Sequence, residues 1–305
     1  MVARIARIDF SRLAIPAFFV VLVVFAGLRL FGVGPWTLPA FDVYAYWTTR
    51  AGLDYSATQQ GVTGAYLYSP AFAQLIAPLT ALPWTAFAAI WTILVAAPLA
   101  WLAGRHALVL LVLPPVFMSV ALGQLDLAFA AVVTLGLRWP ALWALPILTK
   151  VTPGIGLLWF FVRGEWRSLG IALGTSIATV VVSAAVSQHA WSSWISMLAR
   201  MDFPQLGGGL WFLPLPLVFR LFVSGALIAW GAATDRRWVL PVGVCLSLPT
   251  VWLNSPTILI AILPLAAAGA TSPAGRWVRS AVPPAAPASP RRRLRTWLRR
   301  APAGP

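Results

Sequence analysis

Apolar runs of roughly 15 to 22 residues recur along this chain, each closed by short polar punctuation, which restricts it to helices that cross or enter a bilayer. Barrel strands would instead alternate polar and apolar positions in segments of about ten residues. The fold class predicted is an all-α polytopic membrane protein. Only seven of the 305 residues are Asp or Glu. An acid beside an apolar run therefore needs a chemical reason.

The net charge of +15 resembles that of a nucleic-acid binder, but its distribution excludes that class. Arginines gather at the start (Arg4, Arg7, Arg12), at span ends and in the tail (Arg291, Arg292, Arg293, Arg295, Arg299, Arg300), which is topology and lipid-headgroup charge. The lone Cys245 excludes an intramolecular disulfide and a cysteine metal cluster, and reads as a small buried residue. His106 and His189 fall on opposite faces, so no metal site is expected. No Gly-rich phosphate loop is present, and no cofactor is expected. Leu13 to Leu30 exceeds a signal-peptide core and reads as a retained first span.

Spans placed by apolar length and sided by Lys and Arg fall at about 13–33, 84–103, 107–121, 124–137, 168–187, 211–232, 238–253 and 257–270. Two half-depth helices between Arg138 and Arg163 bring the total to about ten (range 8–11), with both termini cytoplasmic. Residues 34–83 form a long extracytoplasmic loop with amphipathic helices; about fifty residues outside the spans is a length that usually carries function. Residues 1–270 read as one transmembrane domain, and 271–305 as a basic disordered tail on anionic lipid. No internal repeat is visible, which weakens a transporter of inverted halves. The composition points to a bacterial plasma membrane.

The stretch Phe41-Asp42-Val43-Tyr44-Ala45-Tyr46-Trp47 sets one carboxylate among four aromatic rings just after the first span. Asp42 reads either as a helix cap or partner of Arg50, or as a general base tuned by low-dielectric surroundings. Tyr44 and Trp47 fit an interfacial aromatic belt or a sugar-binding surface. Gln124 and Asp126 are a polar helix start or substrate contacts. Lys150, the single lysine, sits at a Lys-Val-Thr-Pro helix break and either snorkels or neutralises a phosphate. Arg220 lies near mid-depth of its span, as the partner of an acid such as Asp126 or as a second phosphate ligand. Arg200 and Asp202 read as loop surface that pairs with itself, and Glu165 as a charge at a turn.

Taken in order, Asp42-Val43-Tyr44, Tyr68-Ser69-Pro70, Gly123-Gln124-Leu125-Asp126, Lys150-Val151-Thr152-Pro153 and Arg220 resemble glycosyltransferase family 87, the polyprenol-phosphate-mannose-dependent mannosyltransferases of GT-C architecture. The likeness runs from about residue 13 to 270. The family's late Ser-Pro-x-Ser-Trp-x-His stretch departs here to Ser255-Pro256-Thr257-Ile258-Leu259-Ile260, without the Trp and His. The resemblance implies an inverting transfer of a sugar, mannose foremost, from a polyprenyl-phosphate donor to a glycolipid or glycan acceptor on the extracytoplasmic face. It implies Asp42 as general base, Lys150 and Arg220 at the donor phosphate, and Tyr44, Trp47, Tyr68, Gln124 and Asp126 as substrate contacts. The alternative is a multispan transporter or lipid flippase lined by Lys150, Asp126 and Arg220. The transferase requires Asp42, Lys150 and Arg220 to converge.

Overall fold

The computed structural model describes residues 10–31, 41–56, 58, 62–201, 215–266 and 276–277. Its elements are all helical: α1 (Phe10–Leu30), α2 (Phe41–Thr48), α3 (Pro70–Thr80), α4 (Trp84–Ala103), α5 (Ala107–Leu111), α6 (Pro114–Leu122) and α7 (Asp126–Leu135). They continue as α8 (Ala144–Lys150), α9 (Leu158–Arg163), α10 (Trp166–Val186), α11 (Gln188–Arg200), α12 (Leu217–Thr234), α13 (Val239–Ser247) and α14 (Ile262–Leu265).

The helical period decides which faces are buried. On α1, Phe18, Leu22 and Ala26 recur every fourth residue and are buried, while Val20, Val23 and Val24 lie exposed. An apolar stripe left uncovered on an apolar helix is a lipid-facing surface. The same split runs down α10, where Ala172, Ser176 and Ser183 face inward and Ile177, Val181 and Val186 face out. Small residues let helices approach closely: a Cβ on Gly243 of α13 would lie 2.5 Å from Ile228 of α12. With its face against α1, α7 and α14, α4 is the central pillar.

Four helical stretches among the described residues are long and apolar enough to cross a membrane: Leu13–Leu30, Trp84–Leu111, Trp166–Val186 and Leu217–Thr234. The pair α6 and α7, bent by 104°, makes a fifth if counted as one span. Of the expected set of about ten, these four or five are what the described residues show. The span placed at 107–121 divides, because α5 continues α4 through a 3₁₀ turn at Gly104–His106, and a new helix starts at Pro114. Two others shrink: α13 has nine residues, about 14 Å at 1.5 Å per residue, against a hydrocarbon core of about 30 Å. The 257–270 span becomes the 3₁₀ segment Ser255–Ala261 followed by four-residue α14. Between Arg138 and Arg163 the chain forms the short helices α8 and α9, separated by a 3₁₀ stretch over Thr152–Leu157.

Arg200, read as loop surface, instead ends the amphipathic α11, in which Trp191 and Trp194 are buried. Arg200 donates to the carbonyls of Tyr55 and Ser56, and Glu165 pairs with Arg163 at 2.7 Å. Asp202, the arginines at positions 4 and 7, and the tail save Arg276 and Trp277 lie outside the described residues.

Candidate active site

Asp42 is positioned by the side of α2 that packs inward. Val43 and Tyr46, three residues apart, are buried, which turns Asp42 toward the cleft between α2 and the α6–α7 bend. That bend has a definite cause. Gly123 adopts the left-handed conformation at φ 71° and closes α6, a geometry that glycine takes without steric cost. Its missing side chain also lets α2 approach, since a Cβ there would stand 2.0 Å from Val43 Cγ2. Trp91 Nε1 fixes the same turn by donating to the Gly123 carbonyl at 2.9 Å. The following residue, Gln124, then donates from Nε2 to Asp42 Oδ2 at 2.5 Å.

Lys150 ends α8, and the next residue forces the break. Val151 holds φ 55°, a left-handed value that a β-branched side chain adopts only at a cost of about 1–3 kcal/mol, and such strain concentrates at functional sites. Behind Lys150 lies the fully buried Asp126, whose Oδ1 is 3.7 Å from the ammonium. Asn254 Nδ2 and Ser119 Oγ donate to the other oxygen, Oδ2, at 2.5 and 3.3 Å. Asp126 is therefore an oriented anchor for the lysine, and the two charges partly neutralise one another where burial would otherwise be expensive.

Asp42, Gln124, Thr149, Lys150 and Thr152 form the polar side of one cavity of about 280 Å³. Aromatic walls come from Tyr46, Tyr66, Tyr68, Trp194 and Trp252, and Leu198, Met201, Leu217 and Pro249 make an apolar end. Internal hydrogen bonds hold the rings in place. Tyr55 Oη donates to the Tyr68 carbonyl at 2.8 Å, Tyr66 Oη to that of Ser69 at 3.0 Å, and Trp194 Nε1 to that of Leu67 at 3.0 Å. Tyr46 stacks on Tyr68 with centroids 5.6 Å apart. Burial pushes the Asp42 carboxyl up to about 7; Lys150 and the Gln124 hydrogen bond pull it down, while Asp126 pushes it further up. A carboxyl that exchanges its proton near neutrality suits general-base work.

Four of the expected site residues thus share the cavity: Asp42, Tyr68, Gln124 and Lys150. Asp126 stands behind it as the partner of Lys150. Tyr44 and Trp47 pack edge-on against Trp84 at 5.5 and 5.6 Å, with Arg50 over the Trp47 ring at 4.1 Å, and neither lines the cavity. Arg220 does not converge with the other two, nor does it pair with Asp126. Its Nε donates to the Leu215 carbonyl, Nη1 to those of Leu246 and Leu248, and Nη2 to that of Pro249, at 2.6 to 2.9 Å. The C-terminal end of α13 leaves carbonyls without helical partners, and a buried guanidinium satisfies them. Those bonds make it a brace behind the Pro249 wall of the cavity.

Trp194, Trp252, Ser119 and Asn254 were not expected at the site. Asn254 had a signal in hand, a polar residue directly before the Ser255-Pro256 break, but nothing local joins it to an acid 128 positions earlier in the chain. Residues 66–211 match the family model described as Glycosyltransferase family 87. That segment contains Tyr68, Gln124, Asp126 and Lys150 and leaves Asp42 and Arg220 outside it. No curated protein and no solved structure matches the chain.

Proposed function

We propose that this chain, whose residues 66–211 match the model of Glycosyltransferase family 87, is a glycosyltransferase that moves a sugar from a polyprenyl-phosphate donor to an acceptor hydroxyl inside the Asp42–Lys150 cavity. The observation that carries this reading is one cavity that pairs a carboxyl of near-neutral pKa with a single lysine across a wall of aromatic rings. Mannose is the sugar that the family resemblance favours. A GT-C-like architecture and an extracytoplasmic site go with the same reading, as does a multi-pass place in the plasma membrane.

The chemistry follows from the groups present. The acceptor oxygen attacks the anomeric carbon and its proton passes to Asp42. On the opposite face the bond from that carbon to the phosphate oxygen breaks, and the lipid phosphate leaves with the electron pair, so the anomeric centre inverts. Charge grows on the departing phosphate, and the Lys150 ammonium stabilises it. The Gln124 amide orients the Asp42 carboxylate toward the acceptor. Tyr46 and Tyr68 offer ring faces to the sugar, and Leu198, Met201 and Leu217 accept the first isoprene units. Arg220 contributes by keeping the Leu248–Pro249 wall in place.

The test supplies the purified protein in lipid nanodiscs with lipid-linked mannose and, in parallel, lipid-linked glucose and arabinose, and follows loss of the donor and the anomeric configuration of the product. Consumption of at least one donor with an inverted product is expected. Retention of configuration would overturn the mechanism, and failure to consume any lipid-linked sugar would overturn the function.

A further inference from the structure

The Asp126 carboxylate uses its two oxygens unequally. Oδ2 accepts from two neutral donors, Asn254 Nδ2 at 2.5 Å and Ser119 Oγ at 3.3 Å. Oδ1 meets the Lys150 ammonium at 3.7 Å, beyond the about 2.7–2.9 Å of a charge-assisted hydrogen bond. Charge therefore holds the lysine near Asp126 without locking its N–H groups. Its Nζ also lies 5.4 Å from the centre of the Phe129 ring, and its side chain remains 11% exposed in the wall of the large cavity. An ammonium held in this way keeps donors for an incoming anion.

Three elements supply this arrangement: Ser119 from α6, Asp126 from the first turn of α7, and Asn254 from the turn that follows α13, all of them buried. The Asn254 turn is itself pinned. Trp252 N donates to Ser255 Oγ at 2.9 Å, Ser255 N to the Trp252 carbonyl at 3.0 Å, and Thr257 N to that of Asn254 at 3.0 Å. Pro249, Thr250 and Trp252 of the same stretch line the cavity. One short stretch thus faces the ligand space and also grips the counter-ion of the lysine that serves it. Two neutral donors on Oδ2 satisfy part of the buried carboxylate without using the ammonium. With that share removed, the lysine is the group left to compensate the carboxylate, and it closes onto Oδ1. A lysine closed into a buried pair must leave it before it can reach a phosphate.

We propose that Asn254 is a positioning residue for phosphate binding: its amide holds Asp126 by Oδ2 and so keeps the Lys150 ammonium available to the cavity. It acts through Asp126 and touches neither the substrate nor the reacting atoms. The proposal rests on the transferase reading for the identity of that phosphate, and its experiment separates the two. Farnesyl phosphate is the probe and farnesol its phosphate-free counterpart, with binding to the full chain in nanodiscs measured by calorimetry. Asn254→Ala weakens farnesyl phosphate about tenfold, as for one hydrogen bond to a charged group, and leaves farnesol unchanged. In an Asp126→Asn background the same substitution changes the affinity by less than about twofold, because the carboxylate through which it acts is gone. Ser119→Ala, which removes the longer bond to the same oxygen, gives a smaller shift in the same direction and stands in if Asn254→Ala does not fold. With lipid-linked sugar the donor KM follows the phosphate affinity and the acceptor KM does not. Unchanged or tighter farnesyl phosphate binding in these variants, an equal loss for farnesol, or a loss of full size in the Asp126→Asn background would overturn the positioning role. Asn254-dependent binding of farnesyl phosphate in a protein that consumes no lipid-linked sugar would uphold that role and remove the transferase.

Discussion

Gly123 is where the fold and the site depend on the same atom that is absent. Gly123→Ala imposes two separable penalties. The first is conformational: an L-residue at φ 71° loses about 1–2 kcal/mol in the left-handed region. The second is steric, since the new Cβ falls 2.0 Å from Val43 Cγ2 and 3.1 Å from Trp91 Cδ1, and overpacking of this kind costs about 1–3 kcal/mol. Together they predict a loss of about 2–5 kcal/mol. Two companions separate the terms. Gly52→Ala has φ 120° and open space around its Cβ, so it reports backbone strain without collision. Val43→Ala removes the struck methyl, so the double variant Gly123→Ala/Val43→Ala regains the Val43 share of the steric part. Denaturant unfolding in detergent, followed by tryptophan fluorescence, gives the four free energies of the cycle. A favourable coupling of about 1–3 kcal/mol is expected. Displacing α2 also separates Asp42 from Gln124, so transfer falls in Gly123→Ala and recovers in part in the double variant. Strict additivity of the two substitutions would refute the claim that Gly123 sets the α2 approach.

Arg220→Leu leaves four carbonyls without their donor, and a loss of more than about 3 kcal/mol in the same unfolding experiment is expected. A variant of wild-type stability with a raised donor KM would mean that Arg220 holds phosphate after all. Lys150→Met strands the Asp126 carboxylate, and a destabilisation of about 3–5 kcal/mol is expected. Adding Asp126→Asn restores most of the stability while transfer stays lost; recovery of transfer would remove Lys150 from the phosphate site. The pH dependence of stability has a definite sign. Asp42 titrates near 7 in the fold and near 3.9 when unfolded, so the native state holds the extra proton between those values and wild-type stability falls as pH rises through that window. Relative to wild type, Asp42→Asn gains melting temperature from pH 4 to 7 and levels off above 7; a constant difference across that range would contradict the raised value.

The long helices were legible in the sequence because apolar length is a local property, and Leu13–Leu30, Trp84 onward, Trp166–Val186 and Leu217–Thr234 appear close to where that length places them. The meeting of Asp42 and Lys150 at one cavity was legible in part, because scarce charges in an apolar chain tend to meet; the Gln124 bond to Asp42 was not. The short helices α13 and α14 were not, since their apolar residues are indistinguishable in composition from those of a span. What divides them is the Leu248–Asn254 stretch, and the residue that stabilises that stretch is Arg220, whose carbonyl partners lie up to 29 positions away. The structure sets Arg220 in the first turn of α12 and not at mid-depth; a guanidinium in an apolar run announces that it needs partners, and the sequence does not say whether they are phosphate oxygens or peptide oxygens. Tyr44 and Trp47 posed the same kind of ambiguity: their rings suit a sugar as well as they suit Trp84, and only the packing of α2 decides.

The central claim, that Asp42 takes the acceptor proton, is tested most directly by the rate of sugar transfer from lipid-linked mannose in Asp42→Asn, which keeps the size of the side chain and an acceptor oxygen for Gln124. A protein that inserts normally and retains donor binding, yet transfers about 10²- to 10⁴-fold more slowly than wild type, is the predicted result. Transfer by Asp42→Asn at the wild-type rate would contradict it.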